Sequence, residues 1–138
     1  MKKIAIYAFA ISLSMAGISS CGKYEEGPGI SFLTKKNRIT NTWNLTSRTT
    51  NGSTTNLSNY TWEVVIKDDE TYTSKATILG IPFLNETGSW KFSDDKLDLL
   101  TTPTNSANTA TWEIVRLKKD ELKLRYFSNG DTIVDTFN

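Results

Sequence analysis

What most constrains this chain is a series of short polar connectors set between segments of period-two hydropathy. From Asn41 onward, apolar and aromatic residues recur at every second position. Trp43, Leu45 and Ser47 alternate with Asn44, Thr46 and Arg48. Tyr60, Trp62, Val64 and Ile66 alternate with Thr61, Glu63 and Val65, and Tyr72, Ser74, Ala76 and Ile78 share one side of the segment from Glu70 to Leu79. Gly88, Trp90 and Phe92 follow, then Leu97 and Leu99. Next come Trp112, Ile114 and Arg116 against Glu113, Val115 and Leu117, then Leu122, Leu124 and Tyr126, and a last segment from Thr132 to Phe137. Such alternation marks half-buried strands, and eight candidates result. Lys67-Asp68-Asp69, Ser93-Asp94-Asp95, Lys118-Lys119-Asp120 and Ser128-Asn129-Gly130-Asp131 link them, and Asn129-Gly130 is a strong hairpin turn. Parallel pairing would need crossovers of about a dozen residues, and no helical stretch supplies them. The expected fold is therefore all-β, a small antiparallel up-and-down barrel, because closure covers a sheet that has no helical layer and removes its edges. A short helix is expected from Leu33 to Ile39, with Lys35, Lys36 and Arg38 outside and Phe32, Leu33 and Ile39 toward the core.

The N-terminal residues have a different character. Met1-Lys2-Lys3 is followed by an apolar run from Ile4 to Ile18, broken only by Ser12, Ser14 and Gly17, and no acidic residue occurs before Glu25. A basic start, a short apolar stretch and small residues form the layout of a secretory signal, and the run is short for a span that needs about 20 apolar residues. Ile18-Ser19-Ser20-Cys21 resembles the lipobox of bacterial lipoproteins. That resemblance implies lipidation of the Cys21 thiol, cleavage between Ser20 and Cys21, and acylation of the new amine. Two or three acyl chains hold firmly where one holds marginally, since each buried methylene adds roughly 0.8 kcal/mol. Cys21 is the single cysteine, so no internal disulfide can form and the lipid is its expected role.

The expected organisation is a removed signal peptide (1–20), a lipidated cysteine and flexible tether (21–34), and a barrel domain (35–138). Gly22, Gly27, Pro28 and Gly29 give the tether its loop character. Cys21-Gly22-Lys23-Tyr24-Glu25-Glu26 resembles the Lys-plus-acidic export signal of Bacteroidetes lipoproteins, which implies the outer face of the outer membrane. The other reading is a solvated linker with the domain in the periplasm. The whole chain has 16 basic and 15 acidic residues; without Lys2 and Lys3 the balance is 14 to 15, a formal −1. That balance offers no footprint for nucleic acid.

Three groups of residues carry a wider resemblance. They are Trp43-Asn44-Leu45-Thr46-Ser47; Gly88-Ser89-Trp90-Lys91-Phe92-Ser93-Asp94-Asp95 with Leu97 and Leu99; and Trp112-Glu113-Ile114 leading to Leu122-Lys123-Leu124. With the leader Gly27-Pro28-Gly29-Ile30-Ser31-Phe32, these are similar to the lipocalin-like lipoproteins of Bacteroidetes. The resemblance covers most of the chain after Cys21. It implies an up-and-down barrel of about eight strands and carries over no catalytic residues.

The residue inventory argues against an enzyme. The chain has no histidine, which removes the common general base and the commonest metal ligand. Asp68-Asp69-Glu70, Asp94-Asp95 and Asp120-Glu121 sit at expected hairpin tips, where they form turns and do not face each other across a cleft. No metal site, cofactor or catalytic residue is expected.

Binding residues are expected among the aromatics. Trp43, Trp62, Trp90 and Trp112 fall on the inward face, with Tyr72 and Tyr126 in phase. Two readings are open: they pack the core, or they line a pocket for a small hydrophobic ligand, since an eight-stranded barrel is wide enough for either. Tyr60-Thr61-Trp62-Glu63-Val64-Val65 is echoed by Ala110-Thr111-Trp112-Glu113-Ile114-Val115, one strand solution used twice. Gly80-Ile81-Pro82-Phe83-Leu84 is expected as an apolar loop at the barrel rim, where Ile81, Phe83 and Leu84 would cap the barrel, touch a ligand or touch an envelope protein. Asp131-Thr132-Ile133 resembles the Bacteroidetes O-glycosylation acceptor, with Thr132 as the site. The expected function is a membrane-anchored binding module; the alternative is an accessory envelope lipoprotein that works through protein contacts.

Overall fold

The structure is a computed structural model that describes residues 33–138; Cys21, the signal segment and most of the tether lie outside the described residues. A single turn of helix, α1 (Lys35–Ile39), comes first, capped by the Thr34 side chain, which accepts from the Asn37 N–H at 3.1 Å. Then follow β1 (Asn41–Thr50), β2 (Ser53–Thr54), β3 (Tyr60–Ile66), β4 (Thr71–Ile78), β5 (Ile81–Phe92), β6 (Asp98–Pro103), β7 (Ala110–Leu117), β8 (Leu122–Ser128) and β9 (Asp131–Phe137). Every pairing is antiparallel. From β3 to β9 each strand pairs with its sequence neighbours, and β1 pairs with β3 on one side and β9 on the other. Eight strands thus form a closed antiparallel barrel, the expected fold.

The ninth strand, β2, is an addition to the expected eight. It pairs only with β1, through Thr49↔Thr54 and Thr50↔Ser53, across a turn at Asn51-Gly52. Asn51 and Gly52 have φ of 50° and 81°, close to the 52° and 89° of Asn129 and Gly130. The same dipeptide makes the same left-handed hairpin turn at both places.

The acidic connectors behave as turn formers. Asp69 Oδ1 accepts from the Thr71 N–H at 3.0 Å and the Thr71 hydroxyl at 2.6 Å. Asp95 Oδ1 accepts from the Ser93 hydroxyl at 2.6 Å and the Leu97 N–H at 3.0 Å. These donors hold both carboxyls below the usual carboxylate range, the hydroxyl bond contributing most in each case.

Three bulges change what period two predicts. In β1 the register shifts between Leu45 and Ser47, so Arg48, expected outside, turns toward the interior. In β7 it shifts between Ile114 and Arg116. Leu117 is therefore fully buried, and Arg116, expected inside, pairs with Glu121 at 2.6 Å. Each extra residue reverses the alternation beyond it. The third bulge corrects the expected rim loop. Leu79 and Gly80 form the turn, and Ile81, Pro82, Phe83 and Leu84 belong to β5. Ile78 pairs with Ile81, Thr77 with Pro82 and Ala76 with Leu84, which leaves Phe83 as the extra residue. Pro82 is tolerated because β6 pairs with β5 only from Gly88 to Phe92, so no ladder is lost on its far side.

The core fills the α1 end of the barrel. Ile39, Trp43, Ile66, Trp90, Leu99, Leu117, Leu122 and Phe137 form one buried cluster. The Trp43 Nε1–H donates to the Ile39 carbonyl at 2.8 Å, and the Trp90 Nε1–H to the Lys67 carbonyl at 2.7 Å, so both buried indoles are satisfied. Arg38 packs across this end and donates from Nη1 to the Leu117 carbonyl at 3.0 Å. Arg38, expected outside, is thus buried. Its stem covers the apolar end while a strand carbonyl takes the charge-assisted bond.

Candidate ligand cavity

Beyond the packed end the barrel is hollow. A cavity of about 450 Å³ is bounded by Trp62, Val64, Tyr72, Leu99, Trp112, Leu124 and Phe137, with Ser74, Glu86 and Thr101 as polar members of its wall. The volume falls within the few hundred to a thousand Å³ usual for small-molecule sites. Its mouth follows from the strand register. The arm of β5 from Ile81 to Thr87 runs past the end of β6, and the connector from 104 to 109 returns to β7 on the other side. Leu84 and Glu86 from the arm face Pro103, Ser106, Asn108, Thr109 and Ala110 across the opening.

The polar groups of the wall are paired with one another. The Trp62 Nε1–H donates to Ser74 Oγ at 2.7 Å, and the Trp112 Nε1–H to Thr101 Oγ1 at 2.8 Å. The two echoed segments therefore do the same thing: each presents a tryptophan to the cavity and ties its indole to a hydroxyl on the neighbouring strand. The Tyr72 hydroxyl donates to Glu86 Oε1. Burial, then this bond, pushes the Tyr72 phenol above its ordinary range, so it stays protonated. Gly88 makes room for it. A Cβ on Gly88 would lie 2.7 Å from the Tyr72 ring and 2.9 Å from Pro103 Cα, so only glycine lets the ring lie across β5. With these pairs satisfied, the wall offers mostly apolar surface and few unmet polar groups.

The expected pocket residues divide. Trp62, Tyr72 and Trp112 line the cavity, with Trp62 and Trp112 edge to face at 6.1 Å between centroids. Trp43 and Trp90 lie below, in the packed end. Tyr126 stacks edge-on against Trp112 at 4.8 Å but belongs to a second group, behind the cavity wall. There the inturned Arg48 donates to Asp135 from Nε at 2.6 Å and Nη2 at 2.8 Å. Tyr126 Oη accepts from Arg48 Nη2 at 3.2 Å and donates to Asp135 at 3.1 Å. Asp135 is fully buried, and its hydrogen bond raises the Arg48 pKa while burial opposes it. The Arg48 guanidinium also lies 5.2 Å from the Tyr60 ring centroid and 5.7 Å from that of Trp62. It fills the gap where β1 has left β3, since those strands pair only from Asn41 to Asn44. Sequence reasoning missed this group, because the bulge that turns Arg48 inward leaves no mark in the alternation. Asp135 did carry a signal: it is in phase with Phe137.

Of the expected rim residues, Leu84 lines the cavity, while Ile81 and Phe83 are exposed on the arm with Ile78 and Leu79. Phe83 contacts the Tyr60 ring at 5.8 Å. Thr132 is the second residue of β9, partly exposed, its N–H donating to Asn51 Oδ1 at 3.0 Å. Among the described residues, no three His, Cys, Asp or Glu side chains gather where they could hold a metal ion. No protein-family model and no curated protein matches this chain. The fold and the cavity themselves define the class: a lipocalin-like barrel, packed at one end and open at the other.

Proposed function

We propose that this protein is a membrane-anchored lipoprotein whose barrel binds one small hydrophobic molecule, without catalysing a reaction on it. The observation that carries this reading is the apolar cavity above a packed floor, with Trp62, Tyr72 and Trp112 in its wall. A mostly apolar concave site with a few paired polar groups is the usual form of a small-molecule pocket. N-phenyl-1-naphthylamine, an uncharged fluorescent probe, tests it. Saturable one-to-one enhancement is expected, blocked by Ala110→Phe at the mouth. Absence of saturable binding would overturn the reading.

The anchor belongs to the same proposal. Cys21 carries the acyl chains, palmitate among them, and the protein is a lipocalin-like lipoprotein of the Bacteroidetes outer membrane, carried to the cell surface. The lipobox-like Ile18-Ser19-Ser20-Cys21 and the Lys23 to Glu26 segment support this. Metabolic labelling with an alkynyl palmitate should mark the wild type and not Cys21→Ser. Protease treatment of intact cells should remove a surface domain and spare a periplasmic one.

A second reading has its own observation. Ile78, Leu79, Ile81 and Phe83 form an exposed apolar patch on the β4–β5 arm. An accessory lipoprotein would seat this patch on another envelope protein. Crosslinking from position 81 in cells should then capture one defined partner, and Phe83→Ser should abolish the adduct.

A further inference from the structure

The cavity wall has a sign. Among its lining residues Glu86 is the single Asp or Glu, and none is a lysine or an arginine. The cations of β1, β4 and β5 are committed or turned away. Lys75 and Lys91 are exposed and alternate with the inward Ser74, Ala76 and Trp90 on β4 and β5. Arg48 gives its Nε and Nη2 to Asp135 in a bidentate pair whose charges cancel. Glu86 itself is partly buried, and its Oε1 accepts from Tyr72. A carboxylate has about four acceptor sites on its two oxygens, so Oε2 retains capacity for a donor from a ligand. Trp62, Tyr72 and Trp112, ring types that attract cations strongly, share the cavity wall with it.

We infer that the cavity selects an organic ammonium: a ligand with an apolar body and a cationic head, the head held by Glu86 and the aromatic wall. This inference rests on the ligand-binding reading above and adds the charge of the ligand to it. A carboxylate ligand such as a fatty acid would bring a second negative charge beside Glu86 with no cation in the wall to meet either. The same cavity therefore discriminates between ligands of equal length by head group, with body fit common to all.

Three matched probes test it by tryptophan fluorescence on the folded protein: octylammonium, octanol and octanoate, each below its micellar concentration or solubility limit. The expected result is that the ammonium binds at least about tenfold more tightly than octanoate, with octanol between them. In Glu86→Gln the ammonium and octanoate affinities should converge to within about threefold, while octanol affinity stays near the wild-type value. In Tyr72→Phe, which removes the hydroxyl and keeps the charge, the ammonium preference should persist. Octanoate binding as tightly as the ammonium in the wild type would overturn the inference and leave the ligand-binding reading standing. Survival of the full preference in Glu86→Gln would also overturn it. Failure of all three probes, octanol included, would overturn the cavity reading with it.

Discussion

At the α1 end, Trp43 and Trp90 are buried and their indole N–H groups bond to backbone carbonyls. At the open end, Trp62 and Trp112 are partly exposed and theirs bond to the hydroxyls of Ser74 and Thr101. The four residues share one inward phase, so the difference lies in what surrounds them. Below, α1, Arg38 and the large side chains Ile66, Leu117, Leu122 and Phe137 leave no room. Above, the facing positions include Ser74, Thr101 and Ala110, too small to fill the barrel. Residues identical in kind and phase thus become floor or wall according to the size of their neighbours. In an eight-stranded barrel, where the interior is just wide enough to be packed or hollow, that choice decides whether a ligand site exists.

The comparison predicts unequal costs of substitution. The largest is at the floor: Trp43→Ala should destabilise by about 4 kcal/mol, read from the midpoint of denaturant unfolding, because a full cavity opens in a packed region. Next is the ion pair behind the wall. Asp135→Ala leaves the partly buried Arg48 without its carboxylate, with only the Tyr126 hydroxyl as acceptor, and should cost about 3 kcal/mol; joint replacement of Arg48 by Met and Asp135 by Leu should recover most of it. Wall substitutions come third. Trp112→Phe should cost roughly 1 kcal/mol in stability while weakening probe binding severalfold. Equal losses from Trp43→Ala and Trp112→Ala would erase the distinction between the two ends.

The smallest effect is a pH dependence, and it lies on the outer surface. The Arg125 side chain, bonded to Glu113 at 2.6 and 2.8 Å, holds that carboxyl below its usual 4.5. A carboxyl whose folded value is depressed contributes stability above its unfolded value, and the contribution is lost as pH falls through the folded value. Unfolding free energy should therefore decline below about pH 4.5, less steeply in Glu113→Gln. Asp98 acts with opposite sign. Burial, then its neighbours Asp95 and Glu113, raises its value, so it opposes the folded state at neutral pH and is relieved on acidification. The net change should be under roughly 1 kcal/mol, as expected of exposed pairs.

Most of the barrel was legible in the sequence because its physics is local. Alternation marks a strand, Asn-Gly marks a turn, and Asp69 and Asp95 mark their own bends. All four inward tryptophans follow from phase alone. Three things did not follow. The bulges at Leu45–Ser47 and Ile114–Arg116 reverse the phase, so Arg48 and Arg116 exchanged their expected sides. Gly80 and Pro82 suggested a loop, yet Pro82 sits where β5 lacks a second neighbour, a fact of register. Which tryptophans line the cavity depends on the size of residues on other strands, and no periodicity within a strand encodes that. Asn51-Gly52 was a signal left unused: the same dipeptide had already marked the last hairpin.

The central claim is that the interior is packed at one end and hollow at the other. A crystal of the barrel domain under xenon pressure tests it most directly, since dry apolar cavities take up xenon. The account predicts xenon among Trp62, Leu99, Trp112 and Leu124 and none among Trp43, Ile66, Leu117 and Leu122. An interior without xenon, with the upper side chains closed upon one another, would contradict it.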